Sequence, residues 1–256
     1  MIESFLDIAV SFVWKYFVVG LCLFTGTFFT LRFLFIQLRS FPHATALLRG
    51  KYDNPKEKGQ ITHFQALTAA LSGTIGLGNI AGVAIAIGLG GPGTIFWIWI
   101  VGFFGMATKF VECSLGTHYR EESKDGEVRG GPMYYITNGM GKKWKPMALF
   151  FAFCIALAAF GAGNMFQSNQ AAAALNQYYD IPTWITGVVL LSLCSLVILG
   201  GIKRIGKVTS KIVPLMCAIY VLGAITICLL NIEKLPHVLQ IILSDAFTGK
   251  AAAGGS

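Results

Sequence analysis

The chain has 256 residues, a formal net charge of +8, 55% hydrophobic residues and only 12% charged ones. Soluble domains carry about a quarter charged residues; half that share, with 20 phenylalanines and long apolar runs, excludes a soluble α/β domain and indicates an integral membrane protein. The positive charge gathers between the apolar runs, as membrane loops require, so it does not point to a nucleic-acid partner.

Six membrane spans are predicted in an all-α fold, each near the roughly 20 residues needed to cross a bilayer core. Glu3 and Asp7 stand where a cleavable signal would be basic. The first span covers Val13 to Leu38, with Arg32 and Gln37 near its inner end. The second covers Thr62 to Leu89, the third Gly93 to His118 and the fourth Pro146 to Leu175. The fifth is Pro182 to Gly200 and the sixth Ile212 to Asn231. An amphipathic segment, Val238 to Phe247, follows, and the small residues after it read as the lead-in to another helix.

Fifteen of the twenty basic residues lie in alternate connections. They are Arg39, Arg49, Lys51, Lys56 and Lys58 in the first, and Arg120, Lys124, Arg129, Lys142, Lys143 and Lys145 in the second. Lys203, Arg204, Lys207 and Lys211 occupy the third. The positive-inside rule makes these connections cytoplasmic and places the N-terminus outside. The second basic connection contains "RGGPMYYI", too aromatic for a plain linker and expected to pack at the membrane surface or beneath the helices. The six cysteines read as small buried apolar residues, and the four histidines stand singly without zinc-ligand spacing.

The second span holds "LSGTIGLGN", Leu71 to Asn79. A glycine in a helix interior costs about 1 kcal/mol relative to alanine, and Gly73, Gly76 and Gly78 fall within six residues. An unwound segment is predicted there, and non-helical backbone at membrane depth occurs only against protein or a cavity. The span rises from the cytoplasm, so its first half ends near Ser72–Ile75 with carbonyls lacking intrahelical donors, suited to a small hard cation with Ser72 or Thr74 hydroxyls helping. Its second half starts near Leu77–Asn79 with free N–H groups suited to a carboxylate. A Na⁺-coupled carrier of a zwitterion needs that pair of sites. Two other readings compete: "GLGNIAG" is one residue off a dinucleotide fingerprint but lacks a β-α-β unit, and Gly78 with Gly82 forms a helix-packing G-x-x-x-G.

The fourth span carries "GAGNMFQSNQAAAAL". On a 100° wheel Asn164, Gln167, Ser168 and Ala171 share a face, which is either a pocket wall or interhelical hydrogen-bond glue. Lys109 and Glu112 read as a local ion pair, and Phe96, Trp97 and Trp99 as an interfacial aromatic belt. No catalytic or resident-cofactor constellation is visible, so an enzyme is not expected.

The stretches "ALTAALSGTIGLGNIAGVAIAI", "GGPGTIFWIWIVGFFGMATKFVECSLGTHYRE", "RGGPMYYI" and "GAGNMFQSNQ" resemble the alanine or glycine:cation symporter family of the amino acid–polyamine–organocation superfamily. Thr94 and Ile98 depart mildly from its pattern, away from the site. The resemblance implies a LeuT-type transporter of two five-helix inverted repeats in the cell membrane. Residues 1–256 would form one membrane domain, with residues 1–40 an extra helix and 62–256 the first repeat. By position, the amides of Leu77 and Gly78 would meet the substrate carboxylate, and the carbonyls of Ser72 and Ile75 would bind Na⁺. Thr74, Gly76 and Asn79 would line the substrate pocket opposite Asn164, Gln167 and Ser168. Substrates would be small neutral amino acids, alanine or glycine, with Na⁺ as coupling ion. Family members continue into a second repeat, so residues 1–256 by themselves are expected to be an inactive N-terminal half. A non-transporting helical scaffold is the alternative.

Overall fold

The computed structural model describes residues 5, 8–10, 12–52, 61–123, 128–249 and 251. Glu3, Asp7, Lys56, Lys58 and Lys124 lie outside them, as do residues 252–256. The described chain is helical apart from one short ladder, in which β1 (Glu121–Glu122) pairs antiparallel with β2 (Val128–Arg129). It divides into two compact units. The first comprises Met1–Thr45, Gly78–Ser114 and Leu222–Ser256, and the second Ala46–Leu77 and Leu115–Val221.

A π-helical stretch, Val13–Val18, opens directly into α1 (Val19–Arg32). The helix stops at Arg32, short of the expected Leu38, because Leu34 and Phe35 both take left-handed backbone. Two short helices follow, α2 (Ile36–Arg39) and α3 (Phe41–Leu48). Gly26 of α1 lies against the backbone of Phe104, where an added Cβ would sit 3.1 Å from the Phe104 carbonyl oxygen.

The second predicted span is two helices, α4 (His63–Thr74) and α5 (Leu77–Gly90). Thr62 caps α4 through a reciprocal box: Gln65 N–H donates to Thr62 Oγ1 at 3.3 Å, and Thr62 N–H donates to Gln65 Oε1 at 3.1 Å. Such a cap satisfies two donors that a helix start leaves over. Thr62→Ala should therefore cost about 1 kcal/mol, seen as a lower thermal unfolding midpoint of the solubilised protein, with Thr62→Ser retaining the wild-type value.

The third span is α6 (Thr94–His118), 25 residues long. Its Lys109 Nζ meets Glu112 Oε2 at 2.9 Å, an exposed i,i+3 pair. The "GGPMYYI" stretch folds as α7 (Pro132–Gly139), entered through Gly131 at φ 121° with Pro132 in the first turn. Ile136 is buried, and Asn138 Nδ2 donates to Glu121 Oε1 at 2.8 Å, tying α7 to the ladder.

The fourth span runs through α8 (Lys145–Phe160), a π-helical turn (Gly161–Met165) and α9 (Phe166–Tyr179). Asp180, at φ 54°, closes it with its N–H on Asn176 O at 3.0 Å. The fifth predicted span holds α10 (Thr183–Ile198), only 16 residues, because Leu199–Gly200 turns the chain into Gly201 at φ 66°. The sixth is α11 (Gly201–Leu230), 30 residues with Pro214 inside it. It begins well before the expected Ile212, so Lys203, Arg204, Lys207 and Lys211 stand on a helix instead of a loop. Lysine and arginine are good helix formers, and nothing among them stops the helix extending past the bilayer. The amphipathic segment forms α12 (Leu235–Asp245).

Among the described residues, three helical stretches are long and apolar enough to cross a membrane: Thr94–His118, Lys142–Tyr179 and Gly201–Leu230. A fourth results if α4 and α5 are taken as one broken span, while α1 and α10 are shorter apolar helices. Large apolar side chains such as Leu89, Phe150, Leu191 and Leu222 are exposed on these helices, as expected of surfaces that meet hydrocarbon. The cysteines follow the same pattern and correct the expectation of burial: five are exposed and Cys217 is half-buried. Apolar spans have no need to turn a small sulfur inward when the solvent is lipid.

Phe96 and Trp97 also serve differently from a lipid-facing belt. Both pack their rings on Phe247, with centroids 5.7 and 6.5 Å away. Trp97 Nε1 donates to Ala246 O at 2.6 Å, and Gly93 N–H donates to Asp245 Oδ2 at 2.9 Å. The end of α12 is thereby fastened to the start of α6, and Trp99 alone of the three stays exposed.

Candidate functional site: the broken span

The interruption lies where the glycines cluster. The last turn of α4 closes with Ile75 N–H on Leu71 O at 2.7 Å, and Ile75 itself is extended at φ −85°, ψ 99°. Helical backbone resumes at Leu77. The carbonyls of Ser72 and Gly73 belong to the final turn of α4, which an α-helix leaves without intrahelical donors. Ser72 Oγ donates to Ala69 O at 2.7 Å and Thr74 Oγ1 to Ala70 O at 2.9 Å. A hydroxyl whose proton points back into its own helix presents oxygen lone pairs outward, the orientation a cation requires.

Two contacts inside the second unit position α4. At its N-terminal end, buried Gly206 of α11 faces Ile61 and Gln65: an added Cβ would stand 3.0 Å from Ile61 Cγ2 and 3.5 Å from Gln65 Cβ. At the interruption, a Cβ on Gly76 would meet Gln167 Nε2 at 3.6 Å and Oε1 at 3.8 Å. The absence of a side chain at Gly76 therefore lets the Gln167 amide lie against the interrupted backbone. Gly206 was not singled out in the sequence, where it is one glycine among basic residues.

Of the fourth-span residues, Gln167 and Ser168 are half-buried, and Ser168 Oγ donates to Asn164 O at 3.0 Å. Asn164 is exposed and stands in the π-helical turn. The wheel placed it on the Gln167 face. An i→i+5 turn carries one more residue than an α-turn, so a constant 100° step does not hold through Gly161–Met165.

Gly78 and Asn79 lie in the first turn of α5, and both are exposed. An added Cβ at Gly73, Gly78 or Gly82 would meet nothing within 4 Å among the described residues. Arrayed in sequence are a run of terminal carbonyls, an extended residue, a glycine under an amide and the N–H groups of a new helix. Terminal carbonyls of a helix suit a cation, and the first N–H groups of a helix suit a carboxylate.

The whole chain, residues 1–256, matches the sodium:alanine symporter family. It is 46% identical over 246 residues to the sodium/alanine symporter AgcS of Methanococcus maripaludis, covering 95% of this chain and 54% of that protein. It is 44% identical over 255 residues to an uncharacterized transporter of Haemophilus influenzae, covering 100% and 55% of the two chains. A probable sodium/glutamine symporter, GlnT of Bacillus subtilis, is 36% identical over 256 residues, covering 100% and 53%. The chain spans about half the length of the curated relatives it matches. With its apolar helices and its glycine-broken span, the chain belongs to the sodium:alanine symporter family, a family of membrane transporters.

Proposed function

We propose that the protein carries small neutral amino acids, alanine or glycine, across the cytoplasmic membrane together with Na⁺. The observation that carries this reading is the interruption at Ile75–Gly76 with the Gln167 amide against it. In this reading the backbone carbonyls of Ser72 and Ile75 hold Na⁺. The amides of Leu77 and Gly78 receive the substrate carboxylate at the start of α5. Thr74, Gly76 and Asn79 line the pocket with Gln167 and Ser168, and Asn164 borders it from the π-helical turn. A carboxylate beside a bound cation lowers the free energy of both, which couples their binding.

In this reading six spans form one extra helix, residues 1–40, followed by a five-helix repeat, residues 62–256, of a LeuT-type inverted-repeat architecture. The basic connections face the cytoplasm and the N-terminus lies outside. Transport then proceeds by alternating access, the core helices rocking once ion and substrate are bound.

Residues 1–256 within a chain of the relatives' full length, reconstituted in liposomes, should accumulate radiolabelled alanine under an inward Na⁺ gradient and not when choline replaces Na⁺. Equal uptake in both would overturn the coupling, and no uptake of alanine, glycine or serine would overturn the transport reading. In the same assay Asn79→Ala should raise the half-saturating alanine concentration at least tenfold, about 1.4 kcal/mol of lost binding. Arg49→Ala, an exposed residue just past α3, should leave it unchanged; equal effects of the two would remove Asn79 from the site.

A further inference from the structure

The corner after the first span is built at a cost. Leu34 and Phe35 are consecutive left-handed residues, at φ 51° and 56°, and neither is glycine. Such backbone costs about 1–3 kcal/mol per residue and persists only where surroundings hold it. Here Phe35 N–H donates to Thr30 O at 2.8 Å and Leu34 N–H to Leu31 O at 3.1 Å. Gln37 Nε2 reaches the fully buried Thr30 Oγ1 at 2.8 Å and Phe103 O of α6 at 3.2 Å. Phe33 sets its ring edge-on to Phe110 at 5.9 Å. The chain is thereby turned sharply at the end of α1 and fixed to α6.

What the corner presents outward is specific. Leu34 is 67% exposed, Leu38 65% and Phe41 72%. Arg32 and Arg39 stand among them, both exposed, and among the described residues neither guanidinium has a hydrogen bond or ion pair to protein. Water would leave three large apolar side chains uncovered within eight residues. Another protein surface packed over them would bury guanidinium charge unless it brought carboxylates. The boundary of the bilayer satisfies both requirements at once: the side chains enter the acyl edge while the guanidiniums meet headgroup phosphates. Arg32 closes α1, a short apolar helix, so the corner follows directly on an apolar stretch.

We propose that Arg32–Phe41 is a docking surface for anionic phospholipid, with Leu34, Leu38 and Phe41 in the leaflet and Arg32 and Arg39 on lipid phosphate. The test uses the protein in nanodiscs of phosphatidylcholine with or without phosphatidylglycerol. Phosphatidylglycerol should raise the unfolding midpoint of the wild type. Arg32→Gln/Arg39→Gln should lose most of that rise, and Arg32→Lys/Arg39→Lys should keep it. An equal rise in wild type and glutamine variant would overturn the proposal. Independently, a nitroxide is placed on Leu38→Cys after the six native cysteines, mostly exposed, are replaced by alanine. It should relax more strongly with oxygen than with a water-soluble nickel chelate. Preference for the chelate, which means water, or shielding from both, which means a covering protein such as a second copy, would overturn it.

Discussion

Gly76→Leu should reduce Na⁺-driven alanine uptake on the order of 100-fold, the scale at which displacement of a positioning group by about 1 Å is felt. The Gln167 amide lies 3.6 Å from where a Cβ would stand, so alanine makes an ordinary contact and should keep most of the activity. Leucine adds three carbons beyond that Cβ. They cannot occupy the space of the amide and leave it on the backbone at the interruption. Membrane abundance, measured on a tagged protein, should be unchanged in both variants, because Gly76 is outside a helix and the atoms nearest an added Cβ all belong to one flexible side chain, Gln167. Wild-type uptake by the leucine variant would show that contact between Gln167 and Gly76 has no part in binding.

Gly93→Ala and Gly102→Ala should move stability in opposite directions. A Cβ at Gly93 would overlap Ala246 N and Asp245 C and stand 2.6 Å from Asp245 O. These are backbone atoms of the fastened end of α12, and they cannot rotate aside as a side chain can. The cost should reach the upper part of the range of about 1–3 kcal/mol for overpacking. Asp245 Oδ2 on Gly93 N–H and Trp97 on Ala246 O would be lost with it. Gly102 lies inside α6 with nothing within 4 Å of an added Cβ, so alanine there should add up to about 1 kcal/mol through helix propensity alone. Thermal unfolding of the purified protein in one detergent measures both. A Gly93→Ala variant as stable as the wild type would mean that the α12 end is not seated on α6.

The parts of this molecule that were legible in its sequence are those written by local chemistry. Gly73, Gly76 and Gly78 mark the interruption because three glycines weaken one turn whatever surrounds it, and the helices stop and restart within a residue or two of the expected places. Pro132 after two glycines starts α7 for a similarly local reason. Long-range seating left no such mark. Phe96 and Trp97 look like any interfacial aromatics, and only the fold brings Phe247, some 150 residues on, against them. Gly206 is equally silent, since what makes it matter is Ile61 and Gln65 on a distant helix. Lys203 to Lys211 were misplaced because charge reports the side of the membrane and not whether the backbone is coiled or helical. Asn164 stands in a single wide turn, which no residue of "GAGNM" announces.

That wide turn keeps the phase between the two halves of the fourth span. An i→i+5 turn fits one extra residue into a single turn, so deleting one residue from Gly161–Met165 would let it relax to ordinary α-helix while α9 kept nearly the same face toward its neighbours. Gln167 would then stay near Gly76, whereas deleting a residue from the α-helical stretch before it would turn everything beyond by about 100°. The wide turn thus absorbs a residue without changing which faces α8 and α9 present.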